Sequence, residues 1–297
     1  MADLDFVHLH VHSSYSLLEG ALPIARLAEL AKADKQPALA LTDTDNMFGV
    51  LEFSEKLAGR DGYGIQPIVG CALAIDFGDT DNGARGGNVQ NERQRIVLLA
   101  ASEDGYRSLM RLNSRAFMES PPNEPPRLKV EWLEGETAGI IALTGGPGGP
   151  LDRAIAAGQS SVAATRLDTL HSLFGDRLYV ELQRHGAAHE RVTEPVLIDF
   201  AYSRNLPLVA TNEPFFATAA DYESHDALIC IAEGRYVHET DRRHLTVEHR
   251  FKTRAEMREQ FADLPEALAS TVEIALRCAF RPKTRNPILP RFSVGAD

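Results

Sequence analysis

Residues 6–20 read FVHLHVHSSYSLLEG. Three histidines stand at alternate positions of this apolar run, His8, His10 and His12. Alternate side chains of a β-strand point to the same face. The stretch therefore predicts a buried strand that carries imidazoles on one face and then turns through Ser, Tyr and Glu residues, as one half of a metal site would.

Composition limits the class of protein. The chain has 297 residues, of which 44% are hydrophobic and 25% are charged, as is ordinary for a soluble globular protein. Its formal net charge of −11 opposes nonspecific attraction to nucleic acid over the whole surface, because phosphate is bound by Lys and Arg. The three cysteines are widely spaced and form no Cys-x-x-Cys pair, which predicts a reducing, cytoplasmic location. We expect neither a signal peptide nor a membrane helix.

Seven short apolar runs alternate with helical patterns. The runs cover residues 5–12, 37–43, 65–76, 95–102, 139–145, 177–183 and 207–213. Most are continuously apolar, as is typical of strands that are buried on both faces. The repeated order of strand and helix predicts an α/β protein with a mainly parallel sheet, either a barrel or a doubly wound sheet.

Apolar residues at helical spacing predict the buried faces of three helices. These faces comprise Ile24, Leu27, Ala28 and Ala31; Tyr106, Leu109, Met110 and Phe117; and Ala163, Leu167, Leu170 and Phe174. Further along, Thr253 and Glu256 have the spacing of a capping box. Residues 281–297 are basic and rich in proline, so we predict a linker there after a domain of residues 1–280.

Polar side chains gather where the predicted strands end. Besides the three histidines, these side chains include Asp43, His185 and Glu213. In parallel α/β folds, ligands bind at the carboxyl ends of the strands. A lone histidine there is more often a structural residue than a ligand, but two imidazoles on one buried face seldom arise for packing alone. We therefore predict a ligand role for His8 and His10, whereas we expect His12, which follows the strand, to be exposed or structural.

Seven blocks of sequence, in order, carry a resemblance to a known family. They are FVHLHVHSSYSLLEG, ALTDTDN, PIVGCALA, IVLLAASEDGYRSLMRLNS, YVELQRHG, LPLVATNE and SHDALICIAEG. Together they resemble the N-terminal PHP (polymerase and histidinol phosphatase) domain of the alpha subunit of bacterial DNA polymerase III, a family C polymerase. The resemblance implies a distorted seven-stranded βα (TIM-like) PHP barrel with C-terminal helices. It also implies that the predicted linker leads towards a polymerase palm domain.

The resemblance also implies a set of metal ligands at the rim, where active PHP domains hydrolyse phosphoesters or phosphate anhydrides. Candidate ligands in this chain are His8, His10, Glu19, Asp43, His185 and Glu213. Several positions depart from the family pattern, because other residue types stand where ligands are expected. The departures are Thr44, Ala72, Arg95, Gly146 and Phe215. We therefore interpret the site as vestigial.

The cofactor prediction follows from the reduced ligand set. A structural zinc needs four ligands and a catalytic zinc at least three plus water, while phosphoester hydrolysis usually uses two close metals. We predict no firmly held cofactor. Zinc or manganese would occupy the vestigial site if it binds an ion, and magnesium would serve the polymerase active site of the parent chain. Arg95, near the rim, could replace the charge of a cation.

Three functional hypotheses follow from the resemblance. In the first, this is the PHP domain of a replicative polymerase alpha subunit, its metal site is degenerate, and it docks the proofreading exonuclease (epsilon) subunit and supports the remaining polymerase domains. The second is residual metal-dependent phosphoesterase, pyrophosphatase or 3′–5′ exonuclease activity at the rim. The third is a free-standing enzyme similar to histidinol-phosphate phosphatase, which the blocks DGYRSLMRLNS and SHDALICIAEG disfavour.

Polymerase chemistry itself is not predicted for these residues. By resemblance, DNA synthesis belongs to palm-domain carboxylates, and an Asp-x-Asp block of that kind is not recognisable here. The basic clusters at residues 249–254 and 281–285 predict solvated faces rather than a DNA site. We therefore expect contact with DNA through the full-length chain, weak or no binding by this domain alone, and no membrane partner.

Overall fold

A curled, seven-stranded sheet organises the computed structural model, which describes residues 5–79, 93–122 and 124–287. The strands are β1 (Ala38–Leu41), β2 (Gln66–Asp76), β3 (Arg95–Ala100), β4 (Leu128–Lys129), β5 (Ile140–Leu143), β6 (Leu178–Leu182) and β7 (Leu208–Ala210). Their order in the sheet is β1-β2-β3-β5-β6-β7, with β4 paired to β2. Strand β3 runs antiparallel to β2 and β5, and the other pairs are parallel. The predicted α/β class, with a mainly parallel and barrel-like sheet, is confirmed.

Helices pack around the sheet. In the described ranges they are α1 (Ile24–Ala33), α2 (Val50–Ala58), α3 (Glu103–Glu119), α4 (Pro150–Ala156), α5 (Ser160–Phe174), α6 (Glu190–Ser203), α7 (Tyr222–Glu233), α8 (Arg254–Gln260) and α9 (Pro265–Arg277). The apolar faces predicted for α1 and α5 are buried, as predicted. The predicted capping box is also present, because the side chains of Thr253 and Glu256 satisfy each other's backbone N–H groups at the start of α8.

The face predicted for α3 is partly wrong. Met110 and Phe117 are 41% and 55% exposed. Small residues on the neighbouring side of the helix are buried instead, including Gly105. A Cβ at Gly105 would lie 1.9 Å from the carbonyl oxygen of Gly139, so the backbone of α3 approaches that of its neighbour directly. Close backbone contact, which apolar spacing does not report, therefore selects the packed face.

The histidine-bearing segment, residues 6–12, is extended and buried but is not a regular strand, which corrects the first predicted strand. Part of its backbone pairs with β1, since the N–H of Ala40 donates to the carbonyl of His8 at 2.9 Å. Elsewhere a side chain replaces a backbone carbonyl as the acceptor, because the N–H of Val11 donates to Thr42 Oγ1 at 2.8 Å. Hydroxyl groups that compete with backbone carbonyls interrupt regular pairing. The segment nevertheless lies beside β1, with a second backbone hydrogen bond from the N–H of Thr42 to the carbonyl of Val11 at 2.9 Å.

Helix α9 closes the end of the barrel at the start of its strands. Gln66, the first residue of β2, donates from Nε2 to the carbonyls of Ala275 and Cys278 at 2.6 and 3.1 Å. Ile274 of α9 belongs to the same apolar cluster as Val7 and other inward-facing residues of the sheet. The carboxyl ends of the strands therefore form the opposite, open rim.

The residues that follow α9 return across the outer helices. Ser54 Oγ donates to the carbonyl of Pro282 at 2.6 Å, and Arg285 Nη2 pairs with Glu103 Oε1 at 2.8 Å. The boundary at residue 280 and the linker role of residues 281–297 stay predictions, and residues 288–297 lie outside the described part. No helix within the described ranges is both long and apolar enough to cross a membrane.

Candidate metal centre

Three side chains meet at the open rim with their ligand atoms close together. Within the described residues, one group of at least three His, Cys, Asp or Glu side chains has its ligand atoms all within 4.8 Å of one another, namely His10, His12 and Glu213. Glu213 Oε1 lies 3.4 Å from Nε2 of His10 and 3.1 Å from Nε2 of His12. The structure thus brings together two of the six predicted ligands, His10 and Glu213, and adds His12.

A buried carboxylate orients His10. Nδ1 of His10 lies 2.8 Å from Glu181 Oε1, and both side chains are buried. Because an ionised carboxylate only accepts hydrogen bonds, Nδ1 carries the proton. Nε2 of His10 has no hydrogen-bond partner in the described part of the chain and faces Glu213. A carboxylate on one ring nitrogen and a free lone pair on the other is the usual arrangement of a metal-ligating histidine.

Glu181 was missed by sequence reasoning. It lies in the centre of β6, a strand that is buried along its whole length. Its other partners are the N–H of Gly145 at 2.9 Å, Thr211 Oγ1 at 2.5 Å and Gln183 Nε2 at 2.9 Å. A glutamate inside an otherwise apolar strand was the signal that could have identified it, because an unpaired buried carboxylate is costly.

Charge at the centre is shared between imidazoles and carboxylates. Burial alone would lower the pKa of His10, but the carboxylates of Glu213 and Glu181 outweigh burial and raise that pKa. Burial alone would raise the pKa of Glu213, but His10, His12 and the nearby His249 hold it well below its usual range. Glu213 is therefore ionised, and a proton or a metal ion on the imidazoles would balance it.

His12 is buried, so of the two expected alternatives, exposed or structural, the exposed one is wrong. Its ring stacks on Phe215 with centroids 4.5 Å apart and an interplanar angle of 6°. Nδ1 of His12 lies 2.9 Å from Ser16 Oγ, so the turn that follows the histidine segment folds back over the ring. The chain bends at His10, and Nε2 of both His10 and His12 faces Glu213.

Asp43 holds the turn rather than the centre. Its carboxylate accepts hydrogen bonds from the Ser13 N–H at 2.6 Å, from Ser13 Oγ at 2.7 Å and from Ser16 Oγ at 2.7 Å. Because Ser16 also contacts His12, Asp43 acts on the centre through that hydroxyl. As a metal ligand, Asp43 stays a prediction.

Glu19 is engaged by a cation of the protein itself. Arg95 Nη2 lies 3.0 Å from Glu19 Oε1, and Thr44 Oγ1 donates to Glu19 Oε2 at 2.7 Å. Burial would raise the pKa of Glu19, but Arg95 and Thr44 outweigh it and lower the pKa. The backbone carbonyl of Glu19 also accepts from Nε2 of His225 at 2.6 Å. The arginine and threonine thus stand where the family pattern leads one to expect ligands.

His8 and His185 lie outside the three-residue group. Nε2 of His8 donates to the carbonyl of Lys252 at 2.8 Å, and burial lowers the pKa of His8 to about 4. Nε2 of His185 donates to the carbonyl of Asn212 at 2.6 Å, and its ring stacks on His249 with centroids 3.7 Å apart. Both Nε2 atoms therefore carry protons, whereas Nδ1 of His8 has no hydrogen-bond partner among the described residues. A ligand role for His8 and His185 stays a prediction.

Comparison with known proteins identifies the family. The model of the PHP domain family matches residues 8–185, which is more than half of the chain. The chain belongs to the PHP domain family. This agrees with the barrel-like sheet and with histidines on the first segment of the PHP fold.

Curated relatives of this PHP chain are much longer. They include proteins named DNA polymerase III subunit alpha from Caulobacter vibrioides (45% identity), Treponema pallidum (36%) and Vibrio cholerae (33%). The alignments cover 98%, 99% and 99% of this chain but only 25%, 25% and 24% of the relatives. The chain thus spans about a quarter of their length. A solved structure described as a metal-dependent phosphoesterase from Bifidobacterium adolescentis is 12% identical with a TM-score of 0.40, covering 70% of this chain and 86% of that one.

The donor set of this PHP centre fits a single metal ion. Two imidazole nitrogens and one carboxylate, with a further open position, are a ligand set known for zinc and other transition metals. His10 is already oriented for such a role by Glu181. A second ion would need further ligands, but Glu19, Asp43 and His185 are engaged with protein partners, and His8 by itself does not make a second ligand set.

We expect this PHP domain to hold at most one tightly bound divalent ion per chain when it is loaded with zinc or manganese. His10→Ala and Glu213→Gln should abolish binding, because each removes one of three ligands. His8→Ala and His185→Ala should retain it, and they serve as matched controls. Metal content after gel filtration, measured by mass spectrometry, checks this. Two or more ions per chain, or equal loss in His8→Ala, would contradict the single-ion centre.

Proposed function

We propose that this PHP domain is part of a DNA polymerase III alpha subunit, that its rim has a structural role, and that it docks the proofreading exonuclease subunit. The full-length protein would carry out DNA-directed DNA synthesis in the cytoplasm, with magnesium at a palm domain. The names of the curated relatives support this assignment. DNA would be contacted through the whole polymerase chain.

One observation carries the structural role, namely that the Glu19 and Asp43 carboxylates at the rim are held by groups of the protein. Arg95 and Thr44 hold the Glu19 carboxylate, and Asp43 accepts three hydrogen bonds from the turn at residues 13–16. Hydrogen bonds that pair buried charged groups in this way rigidify a fold. A rim that is already tied together in this way supports neighbouring domains without needing a multi-metal cluster.

Binding of the cognate exonuclease subunit tests the docking role. The chain and the purified subunit are mixed and titrated by isothermal calorimetry at physiological salt. We expect a complex of micromolar or tighter dissociation constant. Absence of binding at micromolar concentration, with both proteins folded by circular dichroism, would count against docking by this domain. The control is His8→Ala, which changes a buried side chain and should leave binding of the exonuclease subunit unchanged.

A second candidate function is a residual metal-dependent phosphoesterase. It is favoured by the group of His10, His12 and Glu213, which fits one ion. An ion bound there would supply a Lewis acid and an activated water. The chain's own residues would orient His10 through Glu181 and place Arg95 beside the centre. Manganese-dependent hydrolysis of a phosphoester that is lost in His10→Ala would support this function. No hydrolysis over a wide range of pH and metals would exclude it.

A further inference from the structure

An exposed apolar patch lies beside the rim. The rim patch consists of Leu17, Leu18, Phe48 and Leu51, whose side chains are 67%, 52%, 69% and 45% exposed. Large apolar side chains scattered singly over a surface are normal, but several together on adjoining segments mark interaction sites. The four residues belong to two segments, the turn after the histidines and residues 48–51, which lead into the first turn of α2.

Hydrogen bonds and packing join these two segments. Asn46 Nδ2 donates to the carbonyl of Tyr15 at 2.7 Å, and Tyr15 Oη donates to Glu52 Oε2 at 3.0 Å. A Cβ at Gly49 would lie 2.7 Å from the Tyr15 ring, so the ring lies directly on the backbone before α2. The two segments that carry the rim patch are therefore held against each other through Tyr15.

The turn that carries the leucines is rigidly held. Asp43 binds Ser13 and Ser16, and the N–H of Ala21 donates to the carbonyl of Phe215 at 2.8 Å. Leu18 has φ of +61°, a left-handed conformation that is costly for a bulky residue. Strain of this kind persists where surrounding contacts impose it, and such positions cluster at binding sites. A partner would therefore lose little entropy by ordering this surface, because it is already ordered.

The charge beside the patch indicates the chemistry of the occupant. Glu52 is exposed, and in the described residues its carboxylate has the Tyr15 hydroxyl but no Lys or Arg within salt-bridge distance. The whole chain has a net charge of −11. Another group of exposed apolar residues, Met110, Phe117 and Met118 on α3, differs because the arginines near it are paired with carboxylates, as Arg115 is with Glu119.

We infer that the rim patch is a docking surface for a protein segment that presents apolar side chains together with a basic one. The apolar side chains would cover Leu17, Leu18, Phe48 and Leu51, and a Lys or Arg would pair with Glu52. This inference rests on the proposed docking function and names the surface that performs it. In protein interfaces, buried apolar anchors at the centre usually supply most of the affinity. Charged groups at the edge fix the orientation of the partner.

Peptide binding tests the surface directly. The probes are a short amphipathic helical peptide of leucine and lysine, and its counterpart with glutamate in place of lysine, each labelled for fluorescence anisotropy. We expect the lysine peptide to bind at least about tenfold more tightly than the glutamate peptide. Leu17→Ser with Phe48→Ser should weaken it about tenfold or more, and Glu52→Lys should weaken it and reduce its salt dependence. The control is Met110→Ser with Met118→Ser on α3, which should bind as wild type.

The outcomes separate the surface from the proposed partner. Equal binding of both peptides, or unchanged binding by the Leu17/Phe48 variant, would overturn the rim patch as a docking surface. The same variants are then titrated with the exonuclease subunit. If that subunit binds wild type and the Leu17/Phe48 variant equally, the surface inference fails while the docking function stands. If it binds neither, yet the lysine peptide depends on the patch, the docking function fails while the surface inference stands.

Discussion

Glu181→Ala is expected to lower the free energy of unfolding by about 3–5 kcal/mol, the cost typical of breaking a buried charged network. The Glu181 side chain is fully buried and accepts hydrogen bonds from His10, Gly145, Thr211 and Gln183. Alanine leaves those four donors inside the barrel without an acceptor and opens a cavity between strands. Urea unfolding at pH 7, followed by circular dichroism, measures the change.

The pH dependence gives a second test of Glu181. Burial would raise the pKa of Glu181, but the charge of His10 and the hydrogen bonds outweigh it, so the pKa is lowered from its ordinary value of 4.5. The contribution of Glu181 is therefore present above that value and is lost as the pH falls below it. The difference between wild type and Glu181→Ala should shrink on acidification. Glu223→Ala, an exposed substitution on α7, is the control and should change stability by less than about 0.5 kcal/mol. An equal effect of the two substitutions would refute the network.

Asp152→Asn is expected to stabilise the protein at pH 8 by about 2–4 kcal/mol, since one pKa unit corresponds to about 1.4 kcal/mol. Asp152, in the first turn of α4, is 4% exposed, and its Oδ2 has no hydrogen-bond partner among the described residues. Burial raises the pKa of Asp152 from 3.8 to about 7, with the carboxylates of Glu181 and Glu190 adding to the shift and a hydrogen bond from Thr193 opposing it. At pH 8 the wild-type chain must hold this charge inside the fold.

The sign of the Asp152 effect follows from proton binding. Between pH 3.8 and about 7 the folded state holds a proton that the unfolded state has released, so stability falls as the pH rises. Asparagine is neutral throughout, so its advantage should grow across that interval and level off above it. Thermal unfolding from pH 4 to pH 9 measures this. Asp199→Asn, exposed on α6, is the control. A gain independent of pH would rule out ionisation of Asp152 as its cause.

The two positions are coupled, which provides a further check. Because the Glu181 carboxylate contributes to the raised pKa of Asp152, the gain from Asp152→Asn should be smaller in a Glu181→Ala background. Neighbouring charged groups commonly show such non-additive effects in double-mutant cycles. Strict additivity of the two substitutions would mean that α4 and the metal centre do not interact electrostatically.

Spacing in the sequence determined the packed faces of two helices and the general class of the fold. The α1 face from Ile24 to Ala31 is buried as predicted, because residues three and four apart lie on one side of a helix. Six of the predicted strands occur, each a mainly apolar run inside the sheet. The capping box at Thr253 was likewise predictable from the sequence, because it depends on residues three positions apart. These features depend on interactions between residues close in the sequence or on local apolar spacing, so the local sequence is enough to predict them.

The first strand and the α3 face could not be obtained in this way. Both depend on what the segment meets elsewhere in the chain. A threonine hydroxyl from β1's end takes a backbone N–H that a strand would have used, and Gly139 lies against Gly105 in α3. Apolar spacing predicts that a segment is buried, but it does not specify the atoms against which it is buried.

The candidate metal centre also has one part that the sequence predicts and one part that depends on the tertiary structure. The sequence by itself determined that histidines and carboxylates collect at the open rim, because parallel strands place their carboxyl ends together. Only the tertiary structure decided which of them meet. His10 pairs with Glu181, 171 residues away, while His8 bonds the carbonyl of Lys252, 244 residues away. Contacts over such separations are set by how the barrel closes, so His8 and His10, alternate residues of one segment, meet different partners.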